Sequence, residues 1–188
     1  MSERAGPGGR GPGVSSRRWH AGPTLDVLVV SDTHAPRFWK ALPGPLRAPL
    51  ERADLVLHAG DVCTPDVLDT LAEHAPVHVV LGNNDRPEVA AWGGGVPETL
   101  ELDLDGLRVA MIHDSGAKGG RDRRMRRRFE RADLVVFGHS HIPMDDDTGA
   151  VHLFNPGSPT DKRRQPRPTY GWLRVEDGRL VSHEVVAM

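Results

Sequence analysis

The chain has 188 residues, a formal net charge of -2, 38% hydrophobic residues and one cysteine, which excludes a collagenous, disulfide-stapled or wholly disordered protein. A near-neutral charge argues against an extended nucleic-acid surface, where affinity comes from neutralising many phosphates. No apolar run approaches the roughly 20 residues that cross a bilayer, and the N-terminus lacks an apolar signal core, so the reading is a cytoplasmic protein without membrane attachment.

Residues 1–23 are rich in Gly, Pro, Ser and Arg and have too little aliphatic periodicity to offset ordering entropy, so they are expected to be a disordered leader. One folded domain is expected over 24–188. Within it, Val- and Leu-rich runs recur, and most end in polar side chains. Residues 25–30 run into Ser31-Asp32-Thr33-His34, and Leu55–His58 runs into Ala59-Gly60-Asp61. Helices are predicted over 45–53 and 65–74, and Cys63 between them reads as a small buried hydrophobe. The run 78–81 leads to Gly82-Asn83-Asn84-Asp85. Thr99–Leu104 and Leu107–Ile112 flank Asp105-Gly106 and predict an antiparallel hairpin, which is followed by His113-Asp114-Ser115. After a predicted helix over 120–131, Leu134–Phe137 ends at Gly138-His139-Ser140-His141, and 151–154 ends at Asn155-Pro156-Gly157-Ser158. The segments 170–175 and 180–186 around Asp177-Gly178 predict a closing hairpin. Early strand-helix-strand alternation favours parallel pairing, and the hairpins favour antiparallel pairing. The expected fold is therefore α/β, with two mixed sheets packed face to face and helices outside, an αββα sandwich.

In such sheets ligands gather beyond the carboxyl ends of the strands, where these polar tetrads project. Carboxylate, carboxamide oxygen and neutral imidazole are all donors for borderline divalent metals. Asp32, His34, Asp61, Asn83, His113, His139 and His141 amount to two sites' worth of such ligands. Converging carboxylates repel one another unless a cation compensates them. Each piece alone is a weak signal, since Gly-Asp is usually a turn and His-x-His is two same-face strand residues. The ordered set is far more specific, because glycine precedes polar ligands at three strand ends, at Gly60, Gly82 and Gly138.

The series Asp32-x-His34, Gly60-Asp61, Gly82-Asn83-x-Asp85, His113, Gly138-His139-x-His141 and Asn155-Pro156-Gly157-Ser158 resembles the calcineurin-like metallophosphoesterase superfamily, in its small prokaryotic phosphodiesterase branch. The resemblance implies that Asp32, His34 and His141 hold one divalent metal and that Asn83, His113 and His139 hold the other. Asp61 would bridge the two. Manganese is the first expectation, with Fe, Zn, Co and Ni as alternatives. A shared water is then the nucleophile for hydrolysis of a small phosphodiester or other phosphate ester. Asp61, Asn83, Asp85 and His139 are the catalytic candidates, with Asp85 expected to orient a ligand or the attacking water. Small relatives often self-associate, and a retromer subunit similar to the family implies an alternative, a non-catalytic scaffold for a protein partner.

Two positions depart from the pattern. Asn84 stands where many relatives carry a histidine that protonates the leaving oxygen, which favours diesters. Asp114 adds a carboxylate beside His113 where relatives often continue with glycine. The basic segment Arg121–Arg128 reads as a solvated helix face with an apolar foothold at Met125 and Phe129, or as a rim for anionic substrates. Lys162, Arg163 and Arg164 carry the same two readings. Phe38 and Trp39 wall a pocket or cover the core. His20, His58, His74, His78, His152 and His183 read as structural or surface residues.

Overall fold

The computed structural model describes residues 24–188 together with the backbone of Arg18–Trp19; the rest of the first 23 residues, with the leader reading and His20, lies outside the described residues. Arg18–Trp19 forms a two-residue strand, β1, inside the expected leader. The strands that follow are β2 (Thr24–Val30), β3 (Leu55–His58), β4 (Val77–Val79), β5 (Thr99–Leu104) and β6 (Leu107–Ile112). Then come β7 (Leu134–Phe137), β8 (Met144–Asp146), β9 (His152–Asn155), β10 (Thr169–Glu176) and β11 (Arg179–Ala187). Helices α1 (Gly44–Arg52), α2 (Asp66–Ala72), α3 (Pro87–Ala90) and α4 (Arg121–Arg128) lie between them.

One sheet has the order β1-β5-β6-β7-β9-β8 and the other β11-β10-β2-β3-β4. Both are mixed. Parallel β6-β7-β9 forms the middle of the first, with antiparallel partners on both sides, whereas parallel β2-β3-β4 runs to an edge of the second and is extended on its other side by antiparallel β10 and β11.

The Val/Leu runs are continuous because each central strand is covered on both faces. Alternation sends Leu25, Val27 and Val29 of β2 into the core between the sheets, against Val109 and Met111 of β6 and Leu134 and Val136 of β7. The intervening Leu28 and Val30 face Leu46 and Leu50 of α1 and Leu68 and Leu71 of α2. On the opposite outer surface, Ala110, Ile112, Val135 and Phe137 receive Met125 and Phe129 from the region of α4. Four layers result, helix-sheet-sheet-helix, as the expected sandwich requires. The chain leaves the parallel strands at one end of both sheets, so their carboxyl-terminal loops meet there.

Candidate metal centre

The loops after β2 and β3 continue the strand pairing beyond the sheet. Asp32 N–H donates to Gly60 O at 2.9 Å, and His34 N–H donates to Asp61 O at 3.0 Å. This zipper fixes Asp32, His34 and Asp61 side by side. The Asn155-Pro156-Gly157-Ser158 tetrad ties in the other loops: Asn155 Nδ2 donates to Gly138 O at 2.8 Å, and the Ser158 hydroxyl donates to Asp32 O at 2.8 Å.

The structure brings all seven proposed ligands together. His141 Nε2 lies 3.3 Å from Asp32 Oδ1 and 3.2 Å from His34 Nε2. Asp61 Oδ2 lies 3.6 Å from His34 Nε2 on one side and 3.4 Å from His113 Nε2 on the other. Asn83 Oδ1 lies 3.2 Å from His113 Nε2 and 2.9 Å from His139 Nδ1. Two groups of donors thus share Asp61 as their middle member. Asp32, Asp61, His113 and His141 are buried, whereas Asn83 and His139 are exposed, so one half opens to solvent.

The donor set fits divalent cations. Asp32 Oδ1 is buried and has no hydrogen-bond donor, a costly state for an anionic oxygen unless a cation compensates it. Burial pushes the Asp32 carboxyl up to about 7, although His113 and Ser31 pull it down. Burial also acts to raise Asp61, but the His113 contact and both Asn84 N–H groups outweigh it and hold Asp61 well below the usual carboxylate range. Burial lowers His34 and His141, which keeps their imidazoles neutral, as ligation requires. For His113 burial acts downward too, yet its contact with Asp61 and the carboxylate charges raise it.

Backbone acceptors set the tautomers. His113 Nδ1–H donates to Ala59 O at 2.8 Å and His141 Nδ1–H to Asp161 O at 2.5 Å, so each ring presents its Nε2 lone pair to the centre. His34 Nδ1 faces Cys63 Sγ at 3.6 Å. Cys63 is therefore half-buried beside a proposed ligand rather than a small buried hydrophobe, and burial pushes its thiol up to about 11.

Gly60, Gly82 and Gly138 answer a packing demand. A Cβ at Gly82 would lie 2.2 Å from Asp61 N and 2.3 Å from Asp61 Oδ1. A Cβ at Gly60 would lie 2.8 Å from His113 Nδ1, and one at Gly138 would lie 2.9 Å from Asp32 Oδ2. Strain sits on the proposed ligands themselves: Asp32, His34, Asp61, His139 and His141 all have φ between 48° and 67°.

The Asp85 carboxylate accepts N–H bonds from Cys63 at 2.7 Å, Gly82 at 2.7 Å and Asp61 at 3.2 Å, so it braces the backbone of the loops that carry Asp61 and Asn83. Asn84 spends its backbone and side-chain N–H groups on Asp61, at 2.8 and 2.7 Å. Asp114 accepts Gly116 N–H at 2.7 Å. His58, wholly buried, accepts Gly60 N–H at Nδ1 and turns Nε2 toward Thr33 Oγ1 at 3.1 Å, linking two ligand loops from below.

An open cavity of about 410 Å³ adjoins the exposed half and is lined by Asn83, His113, His139, Glu98 and Arg128 among others. Only part of the basic segment faces solvent. Arg124 donates to the carbonyls of Ser115, Ala117 and Gly119, and Arg126 to those of Ala150, Glu130 and Ala132. Phe38 is exposed edge-on to His34 at 6.4 Å, whereas Trp39 joins the core under α1 and α2.

Residues 25–178 match the calcineurin-like phosphoesterase superfamily domain. The chain belongs to that superfamily. A probable metallophosphoesterase of Methanothermobacter thermautotrophicus is 33% identical over 162 residues, covering 85% of this chain and 91% of that protein. Among solved structures, a novel archaeal phosphodiesterase superposes with a TM-score of 0.65 at 20% identity, over 87% of this chain and all of that one. Vps29 of Entamoeba histolytica, solved in complex with zinc, superposes with a TM-score of 0.70 at 23% identity, over 87% of this chain and 98% of that one. The last two likenesses bear on the fold alone. Among the described residues, no helix is long and apolar enough to cross a membrane.

Proposed function

We propose that this metallophosphoesterase-superfamily chain is a phosphodiesterase working with two divalent cations, manganese first among them. The observation that carries the reading is the position of Asp61 Oδ2 between His34 and His113, with the unpartnered, buried Asp32 Oδ1 alongside. Asp32, His34 and His141 would hold one cation, Asn83, His113 and His139 would hold the other, and Asp61 would serve both. When bound, such a pair supplies a water acidic enough to attack at neutral pH and neutralises charge on the phosphoryl oxygens.

The remaining work falls to this chain's own groups. Asn84 orients Asp61 with its two N–H donors, and Asp85 fixes the three amides beneath that loop. Ala59 O and Asp161 O hold His113 and His141 in the ligating tautomer. Arg128 on the cavity wall offers a planar guanidinium to a substrate phosphate. With Asn84 fully engaged and not titratable near neutral pH, protonation of the leaving oxygen falls to solvent. Substrates with good leaving groups, and diesters over monoesters, are favoured.

The test is hydrolysis of bis-p-nitrophenyl phosphate with Mn, Co, Ni or Zn, with metal content measured on the same sample. Activity should follow metal content and vanish in Asp61→Asn and His139→Ala variants that remain folded. A folded, metal-loaded protein with no turnover under any of the four ions would refute the reading. The fold shared with Vps29 motivates a second reading, a partner-binding scaffold. Its mark would be tight binding of a protein partner without uptake of metal.

A further inference from the structure

Three further side chains meet where the two sheets come together at one border. Asp145 lies on β8, the last strand of one sheet, and His183 on β11, the last strand of the other. His152 stands on β9 next to β8. His152 Nε2 is 2.6 Å from Asp145 Oδ1, and His183 Nδ1 is 2.7 Å from Asp145 Oδ2. The two imidazole centroids are 4.6 Å apart with planes inclined at 74°. One donor atom from each of the three residues lies within 4.8 Å of the other two. Their side chains are 24%, 10% and 32% exposed for Asp145, His152 and His183, so the group is shielded by the strands yet reachable from solvent.

We propose that Asp145, His152 and His183 form a divalent-metal site, separate from the centre at Asp61, that clips the free borders of the two sheets together. Two imidazoles and one carboxylate are a zinc donor set, with a water completing a tetrahedron. Donor atoms around such an ion stand roughly 3.3 Å apart, so the present hydrogen-bond separations need to open by only about 0.6 Å. Each neutral imidazole keeps its single proton on the nitrogen facing away, Nδ1 of His152 and Nε2 of His183, and turns a lone pair to the ion. An ion held by side chains of both sheets stabilises the folded chain by preferential binding.

The experiment uses the full chain, stripped with chelator and titrated with zinc alone, with bound zinc counted after buffer exchange and melting followed in parallel. His183→Gln should hold one zinc per chain fewer than the unaltered protein and lose part of the zinc-dependent rise in Tm, while hydrolysing the diester at the unaltered rate. Asp61→Asn should retain the zinc that His183→Gln loses, which separates this site from the centre proposed for catalysis. Asp145→Asn preserves shape and hydrogen bonding, and should show the same loss if His183→Gln folds poorly. Equal zinc content in the unaltered protein, His183→Gln and Asp145→Asn would overturn the proposal and leave a hydrogen-bonded triad only.

Discussion

Gly82→Ala probes how tightly the centre is built. The added methyl would stand 2.2 Å from Asp61 N, 2.3 Å from Asp61 Oδ1 and 2.9 Å from Asp61 Cα. Unbonded heavy atoms rest near 3.5–4.0 Å, so Asp61 or the 81–85 loop must move by roughly 1 Å. Neither partner moves freely, because Asp85 holds the amides of Gly82 and Asp61 together and Asn84 holds the Asp61 carboxylate. Overpacking of this kind costs about 1–3 kcal/mol of stability. A displacement of about 1 Å in a reacting group costs roughly 10²-fold in rate. Urea unfolding and kcat/KM on bis-p-nitrophenyl phosphate would measure the two effects. Gly44→Ala is the control: its Cβ meets nothing within 4 Å, so stability should change by less than about 0.5 kcal/mol and activity not at all. A Gly82→Ala protein with unaltered stability, metal content and rate would show that the Asp61 loop is not confined as described.

Two further outcomes follow from single side chains. Burial lowers His58 from 6.5 to about 3, so the unfolded chain takes up its proton first as pH falls. The stability conferred by neutral His58 is present above about pH 6.5 and is lost as pH descends toward 3. Between pH 7 and 5 the loss is about 2 kcal/mol. Urea unfolding of chelator-treated protein at both pH values should show a pH-dependent drop smaller by that amount in His58→Gln, and an identical drop in the two proteins would contradict the burial argument. Arg128→Ala removes the cavity's guanidinium. A charge-assisted hydrogen bond of about 1.5–3 kcal/mol corresponds to a fall in kcat/KM of roughly 10- to 100-fold, carried mainly by KM, with metal content unchanged. Unaltered KM would place the substrate elsewhere.

The strands were readable because both their faces are buried, which leaves uninterrupted aliphatic runs, and because polar tetrads mark where those runs end. Leu55–His58, Leu107–Ile112 and Leu134–Phe137 begin and end where the sequence places them. Met144–Asp146 and Pro87–Ala90 went unread: one is a three-residue strand mostly of aspartate, and the other a single helical turn. Juxtaposition of the seven candidate ligands followed from the rule that such loops share one end of the sheets. Their supports did not follow. Ala59 O and Asp161 O act through the backbone, which has no residue-specific signature. Cys63 meets His34 only because two loops zip together. The contact of His152 and His183 crosses between sheets, a pairing that no period along the chain encodes.

The left-handed backbone at Asp32, His34, Asp61, His139 and His141 restricts which amino acids evolution can install there. Asn, Asp and His tolerate that conformation better than other non-glycine residues do, and all three are oxygen or nitrogen donors. The β-branched residues are disfavoured at these positions before their chemistry is ever tried. Exchanges within the permitted trio keep an oxygen or nitrogen donor at little conformational expense, whereas glycine relieves the backbone and removes the donor.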